Sequence, residues 1–181
     1  MNGAFFPTPR SVSRWWILLL VHMSVLSFAL SLQMIPPILP RLVSEMGLTH
    51  TQAGILMGLF TLPGIFFALP GGRVSDVLGP RSVALWSLSL LSAGAFLMLP
   101  VHPGFLFTGR LFAGIGGAVI VVVAPHIIAR HFEGRELGLA MGLYNTAVPL
   151  GTILAFNLLG FLAGSYGIPV AIAATGSFTI V

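Results

Sequence analysis

The chain has 181 residues, of which 56% are hydrophobic and only 7% charged, and its mean hydropathy is +1.02. A soluble domain carries about 25% charged residues, so this composition excludes an aqueous surface and places the chain in a membrane. The net charge of +4, from eight arginines against Glu45, Asp76, Glu133 and Glu136, points to a membrane surface rather than nucleic acid, and the absence of cysteine excludes disulfides and thiolate metal sites.

Arg10 and Arg14 precede an apolar segment running from Trp15 to about Leu32. That is longer than the ~7–15-residue core of a signal peptide, and no Ala-x-Ala cleavage site follows. The segment reads as an uncleaved first span at about 15–34, after a tail at 1–14, with Trp15 and Trp16 at the interface. Further spans, each near the ~20 apolar residues a bilayer requires, are expected at about 52–69, 82–99, 105–129 and 137–163. A sixth, at 168–181, is too short to cross, and the sequence is expected to stop inside it.

The connections carry their own signals. Pro36, Pro37 and Pro40 predict an outer connection that is not regular helix. Arg41 and Glu45 are spaced as a surface pair, and Thr49 or Thr51 is available to cap the second helix. Gly71 to Arg81 reads as a short charged hairpin between the second and third spans. Pro100, Pro103 and Gly104 predict a tight outer turn, and His131 to Glu136 a charged inner loop. Arg10, Arg14, Arg73, Arg81, Arg130 and Arg135 fall on one side, and only Arg41 lies in a loop on the other. This bias predicts a cytoplasmic N-terminus in a multi-pass inner-membrane protein.

An internal repeat is present. Gly54 to Phe60, with Gly58, matches Gly138 to Tyr144, with Gly142. Downstream, the pair Gly72 and Gly79 matches Gly160 and Gly167, at an offset larger by about one helical turn. The matched helices run in opposite directions, so spans one to three and four to six are expected to be inverted repeats, as in many transporters. The competing reading is Gly-x-x-x-Gly recurring only as a helix-packing motif.

The spacing Gly72-x-x-x-Asp76-x-x-Gly79-x-Arg81, at an inner connection, resembles the signature of the major facilitator superfamily. The resemblance implies an all-α membrane protein with a major-facilitator-type helical bundle. The whole chain would be its N-terminal half, two inverted three-helix repeats with the sixth helix truncated. It implies that Asp76 switches conformation by meeting a helix N-terminus of a second six-helix bundle, where a carboxylate is favoured. Arg81 would balance Asp76, while Gly72 and Gly79 allow close packing and the turn. Val77 and Pro80 depart from the family's commonly basic positions. A purely structural Asp76, closing the turn before Pro80, is the alternative.

Arg110, followed by Gly114 and Gly117 on its own helical face, resembles the fourth-helix motif of proton-coupled members. An arginine inside a span is a functional candidate by default. Its nearness to the outer end leaves a second reading open, a snorkelling side chain with no transport role. His22 and Gln33 share a face of the first helix, which by resemblance lines the central cavity. His22 there is either a proton carrier or bonded to a neighbouring helix. Asn145 and Thr152 share a face of the fifth helix, either toward substrate or toward a partner helix. Pro149 and Gly151 match the antiporter motif of that helix too poorly, with Val148 before them, to assign antiport. His126 and His131 are wrongly spaced for one metal, and neither a metal nor a cofactor is expected.

Hydrolase signatures, paired intramembrane aspartates and a phosphate-binding loop are all missing, so an intramembrane enzyme or ATP-driven pump is not expected. The reading is a secondary transporter half that moves a small solute by alternating access, with proton coupling as a candidate mode. The one charge placed within a span is positive, which favours an anion. Its partners would be the solute, membrane lipid and the second bundle. The alternative is a half-length membrane subunit or scaffold that pairs with another bundle.

Overall fold

The computed structural model describes residues 13–180. Most of the expected tail, with Arg10, and Val181 lie outside the described residues. All regular structure among them is helical, in the order α1 (Arg14–Leu32), α2 (Ile35–Met46), α3 (His50–Thr61), α4 (Pro63–Leu78), α5 (Pro80–Leu97) and α6 (Pro103–His131), then α7 (Gly134–Asn145) and α8 (Ala147–Leu154), a π-helical turn at Ala155–Leu159, α9 (Gly160–Tyr166) and α10 (Ile168–Ile180). Among the described residues, four runs are long and apolar enough to cross a membrane: Arg14–Met46, His50–Leu78, Pro103–His131 and Gly134–Tyr166. Between the second and third of these, α5 adds 18 residues, about 27 Å at 1.5 Å per residue. The 13 residues of α10 are too few to cross.

Three connections differ from expectation. The segment Ile35–Met46 is helical despite its prolines. The chain breaks at Gln33 and Met34, so Pro36 and Pro37 occupy a new first turn, where an N–H has no helical partner to lose. Gly71 to Leu78 is not a hairpin loop but the end of α4, and the connection to α5 is Gly79 alone. The charged loop expected after α6 is likewise reduced to Phe132 and Glu133. Thr49 rather than Thr51 caps α3, in a capping box with Gln52. Arg41 does not pair with Glu45 among the described residues; it donates to the carbonyls of Ala163 and Gly164 at the end of α9.

The α6 helix is the hub, packed against α1, α3, α4 and α5. Small residues make that possible, because membrane helices associate by close backbone approach. A Cβ on Gly94 of α5 would stand 2.6 Å from the Gly109 carbonyl of α6, and one on Gly116 would stand 2.8 Å from Leu91 N. Gly114 lies against the backbone of Phe60, and a Cβ on Gly117 would come within 2.9 Å of the Phe28 ring.

The two halves of the chain are built alike. The fourth span lies against the second, and the first span lies against α7 and α8 of the fifth, as inverted repeats require. The one-residue connections match as well: Gly79 has φ +85° and ψ 142°, and Gly167 has φ +94° and ψ 162°. Those angles are strained for any residue with a Cβ. Gly79→Ala and Gly167→Ala should each lower stability by about 1–3 kcal/mol. Thermal unfolding of the purified protein checks this, with Gly164→Ala as the silent control because a Cβ there meets nothing within 4 Å.

The other repeated glycines behave differently. A Cβ on Gly54, Gly58, Gly138 or Gly142 would also meet nothing within 4 Å. Their expected packing is therefore not found among the described residues, because these faces of α3 and α7 point away from the bundle.

Candidate functional site

Arg110 is the largest fully buried side chain, 1% exposed. Its Nη1 donates to the Ser31 carbonyl at 2.6 Å, Nη2 to Leu32 at 3.3 Å and Nε to Leu56 at 3.3 Å. Its Cζ lies 4.5 Å from the centroid of the Phe60 ring, a cation–π contact. The snorkelling reading is thereby overturned, since the guanidinium turns inward to α1 and α3 rather than outward to the interface.

The acceptors trace to the prolines after α1. In an unbroken helix the Leu32 carbonyl would receive the N–H of residue 36, which is proline and has none. The break at Gln33 and Met34 leaves Ser31 with only a long backbone bond of 3.5 Å from Met34 N. Carbonyl dipoles and an aromatic face thus surround the cation, with no carboxylate beside it. Glu45, Asp76 and Glu133 are exposed, and Glu136 is half-buried in its pair with Arg14. The Ser31 hydroxyl, also buried, has no hydrogen-bond partner among the described residues.

Beside this cation opens a cavity of about 250 Å³, lined by Phe28, Phe60, Thr61, Gly64, Gly117 and Val121, among others. Phe60 belongs to both places: its ring meets Arg110 and also forms part of the cavity wall. The junction of α3 and α4 at Leu62, just before Pro63, lies at this wall.

The other candidates line a seam between the first and fifth spans. Gln33 Nε2 donates to Thr152 Oγ1 at 3.5 Å, so two of them meet. His22 Nδ1 lies 3.1 Å from the Leu143 carbonyl, at the break between α7 and α8. That contact is the neighbour-helix bond expected under the second reading of His22. Asn145 is exposed and joins neither pair.

The signature residues lie on helix ends. Asp76 is exposed near the end of α4, with His126 of α6 at 3.7 Å as its ionisable neighbour, rather than Arg81. Arg81 is exposed in the first turn of α5. The crowded glycine of the pair at 71 and 72 is Gly71: a Cβ there would come 2.8 Å from Val119, against an ordinary 3.5 Å from Val122 for Gly72.

The Major Facilitator Superfamily model matches residues 21–181. The chain belongs to this superfamily. It is therefore a multi-pass membrane protein with the superfamily's helical bundle. Among its relatives, the probable nitrate transporter NarT of Staphylococcus epidermidis is 26% identical over 151 residues, 83% of this chain and 38% of the relative. The uncharacterized MFS-type transporter MJ1560 of Methanocaldococcus jannaschii is 30% identical over 136 residues, 74% of this chain and 35% of the relative. NarT of Staphylococcus aureus is 26% identical over 134 residues, 74% and 34% respectively. This major facilitator chain spans roughly a third of the length of the curated relatives it matches.

Sequence reasoning missed Phe60, Gly71, His126 and the carbonyls of Ser31 and Leu32. Only the last left a usable signal: a proline four residues after Leu32 marks that carbonyl as needing an outside donor.

Proposed function

We propose that residues 15–181 form the N-terminal bundle of a secondary transporter that carries a small inorganic anion, nitrate-like in size and charge, by alternating access. The observation that carries this reading is Arg110, a buried guanidinium with no carboxylate beside it, stacked on Phe60, which also lines a cavity. An anion about 8 Å from such a charge, at an effective dielectric near 20, gains about 2 kcal/mol. The nitrate named for the NarT relatives has the same sign of charge.

In this reading the arginine bias sets a cytoplasmic N-terminus in the inner membrane. A second six-helix bundle completes the pathway, meeting this one across the open glycine faces of α3 and α7. Asp76, Gly72, Gly79 and Arg81 form the switch between the bundles. Gln33 and Thr152 border the pathway, with Asn145 facing the second bundle. Proton coupling would run through His22, whose other ring nitrogen has no hydrogen-bond partner among the described residues.

The test is uptake by proteoliposomes holding the full-length protein, with nitrate, nitrite, chloride, phosphate and a monovalent cation offered in turn. Saturable nitrate uptake, competed by nitrite and indifferent to the cation, is expected. Saturable uptake of the cation with none of the anions would sink the proposal.

A further inference from the structure

At the inner end of the bundle, α4 and α6 bring three ionisable side chains into a row. His126 Nδ1 stands 3.7 Å from Asp76 Oδ1, a charge-pair distance too long for a hydrogen bond. On the other side of the ring, Arg130 Nε donates to His126 Nε2 at 3.2 Å. The close approach of α4 to α6 is set by Gly71, packed on Val119.

A ring nitrogen that accepts from a guanidinium carries no proton. The geometry is thus that of a neutral imidazole, with its proton on Nδ1, toward Asp76. A second proton has one place to go, Nε2. There it removes the acceptor that Arg130 uses and sets two like charges side by side. Protonation exchanges partners: the bond to Arg130 is lost and attraction to Asp76 is gained.

We propose that His126 is a positioning residue for Asp76, holding the carboxylate on its own bundle when protonated and releasing it toward the second bundle when neutral. This rests on the reading of Asp76 as the inter-bundle switch. One carboxylate cannot be committed both to an imidazolium on α6 and to a helix N-terminus on the facing bundle. Protonation of this ring from the inner side therefore withdraws the contact that holds the inner end closed. The outward-open state then loses population.

The other charged groups of this rim do not compete for the ring. Arg14 is paired with Glu136 between α1 and α7, and His131 is bonded to the Ile127 carbonyl. Arg73 of α4, Arg81 of α5, and Glu133 and Arg135 beside the start of α7 make no ion pair or hydrogen bond with His126 among the described residues.

The test uses the full-length protein in right-side-out vesicles. A single cysteine replaces Ala118 in the cavity wall, and any cysteine elsewhere in the protein is replaced by serine. A membrane-impermeant maleimide is added outside at fixed outer pH, while inner pH is set at 8 or 5.5. Labelling should slow about twofold to fivefold at inner pH 5.5, the size expected for an exposed charge pair. His126→Gln should label fast at both values, and His126→Lys, a permanent cation, slowly at both.

A His126→Gln protein that keeps the full response to inner pH would overturn the proposal, as would a His126→Lys protein that labels as fast as wild type at pH 8. Asp76→Asn separates the two claims. If it labels like wild type at pH 8, the switch reading itself fails. If it labels slowly at pH 8 while His126→Gln still responds to inner pH, only the role of His126 fails.

Discussion

Arg110→Ala should lower nitrate uptake by the full-length protein by about 30-fold or more, the equivalent of the roughly 2 kcal/mol that a nearby buried charge supplies. Two losses combine in this variant. The cation behind the Phe60 wall of the cavity is lost, and the Ser31 and Leu32 carbonyls lose the donors that replaced their missing helical partners. An unsatisfied buried acceptor costs about 1–3 kcal/mol, so less folded protein is also expected. Uptake therefore has to be normalised to monodisperse protein recovered from the membrane. Arg110→Lys separates the two terms. It keeps a charge but cannot span three carbonyls and lie flat on Phe60, so it should retain uptake within several-fold while losing stability.

The second large effect is steric. In Gly114→Ala the new methyl group runs into the backbone of Phe60, and backbone cannot rotate away as a side chain would. Overpacking of this kind costs about 1–3 kcal/mol, and the upper end is expected here. Thermal stability in detergent checks it, with Gly54→Ala as the matched control on a face where a Cβ meets nothing. Forcing α3 from α6 also draws the Leu56 carbonyl and Phe60 away from Arg110. Gly114→Ala should thus impair uptake through the same residues that it destabilises. Equal melting temperatures for the two variants would contradict the packing described for α6.

Much of the fold was legible because bilayer thickness fixes the length of an apolar run and arginines mark the ends. Span positions came from those two facts, and the repeat from glycines that proved to be matched one-residue connections at Gly79 and Gly167. Helix ends were less legible. Charge between Gly71 and Arg81 suggested a loop, yet helix continues to Leu78, because exposed arginine and aspartate can reach water from a helix as well as from a loop. Prolines misled in the same way: Pro36 and Pro37 break one helix but start another.

At the site, Arg110 was visible as a charge in an apolar run, but its surroundings were not. Which carbonyls it meets depends on how three helices cross, and no spacing in one helix encodes that. Gly54 and Gly138 were ambiguous for a related reason: a small residue permits close approach without naming the helix that approaches, and among the described residues a Cβ at either meets nothing within 4 Å.

The central claim is that the buried charge of Arg110 draws an anion into the cavity beside Phe60. The most direct measurement is the equilibrium affinity of the purified full-length protein for nitrate, in wild type, Arg110→Lys and Arg110→Gln. Affinity should weaken about 30-fold for glutamine and only a few-fold for lysine, following the charge. Equal nitrate affinity in wild type and Arg110→Gln would contradict the account and leave Arg110 as a clamp between helices.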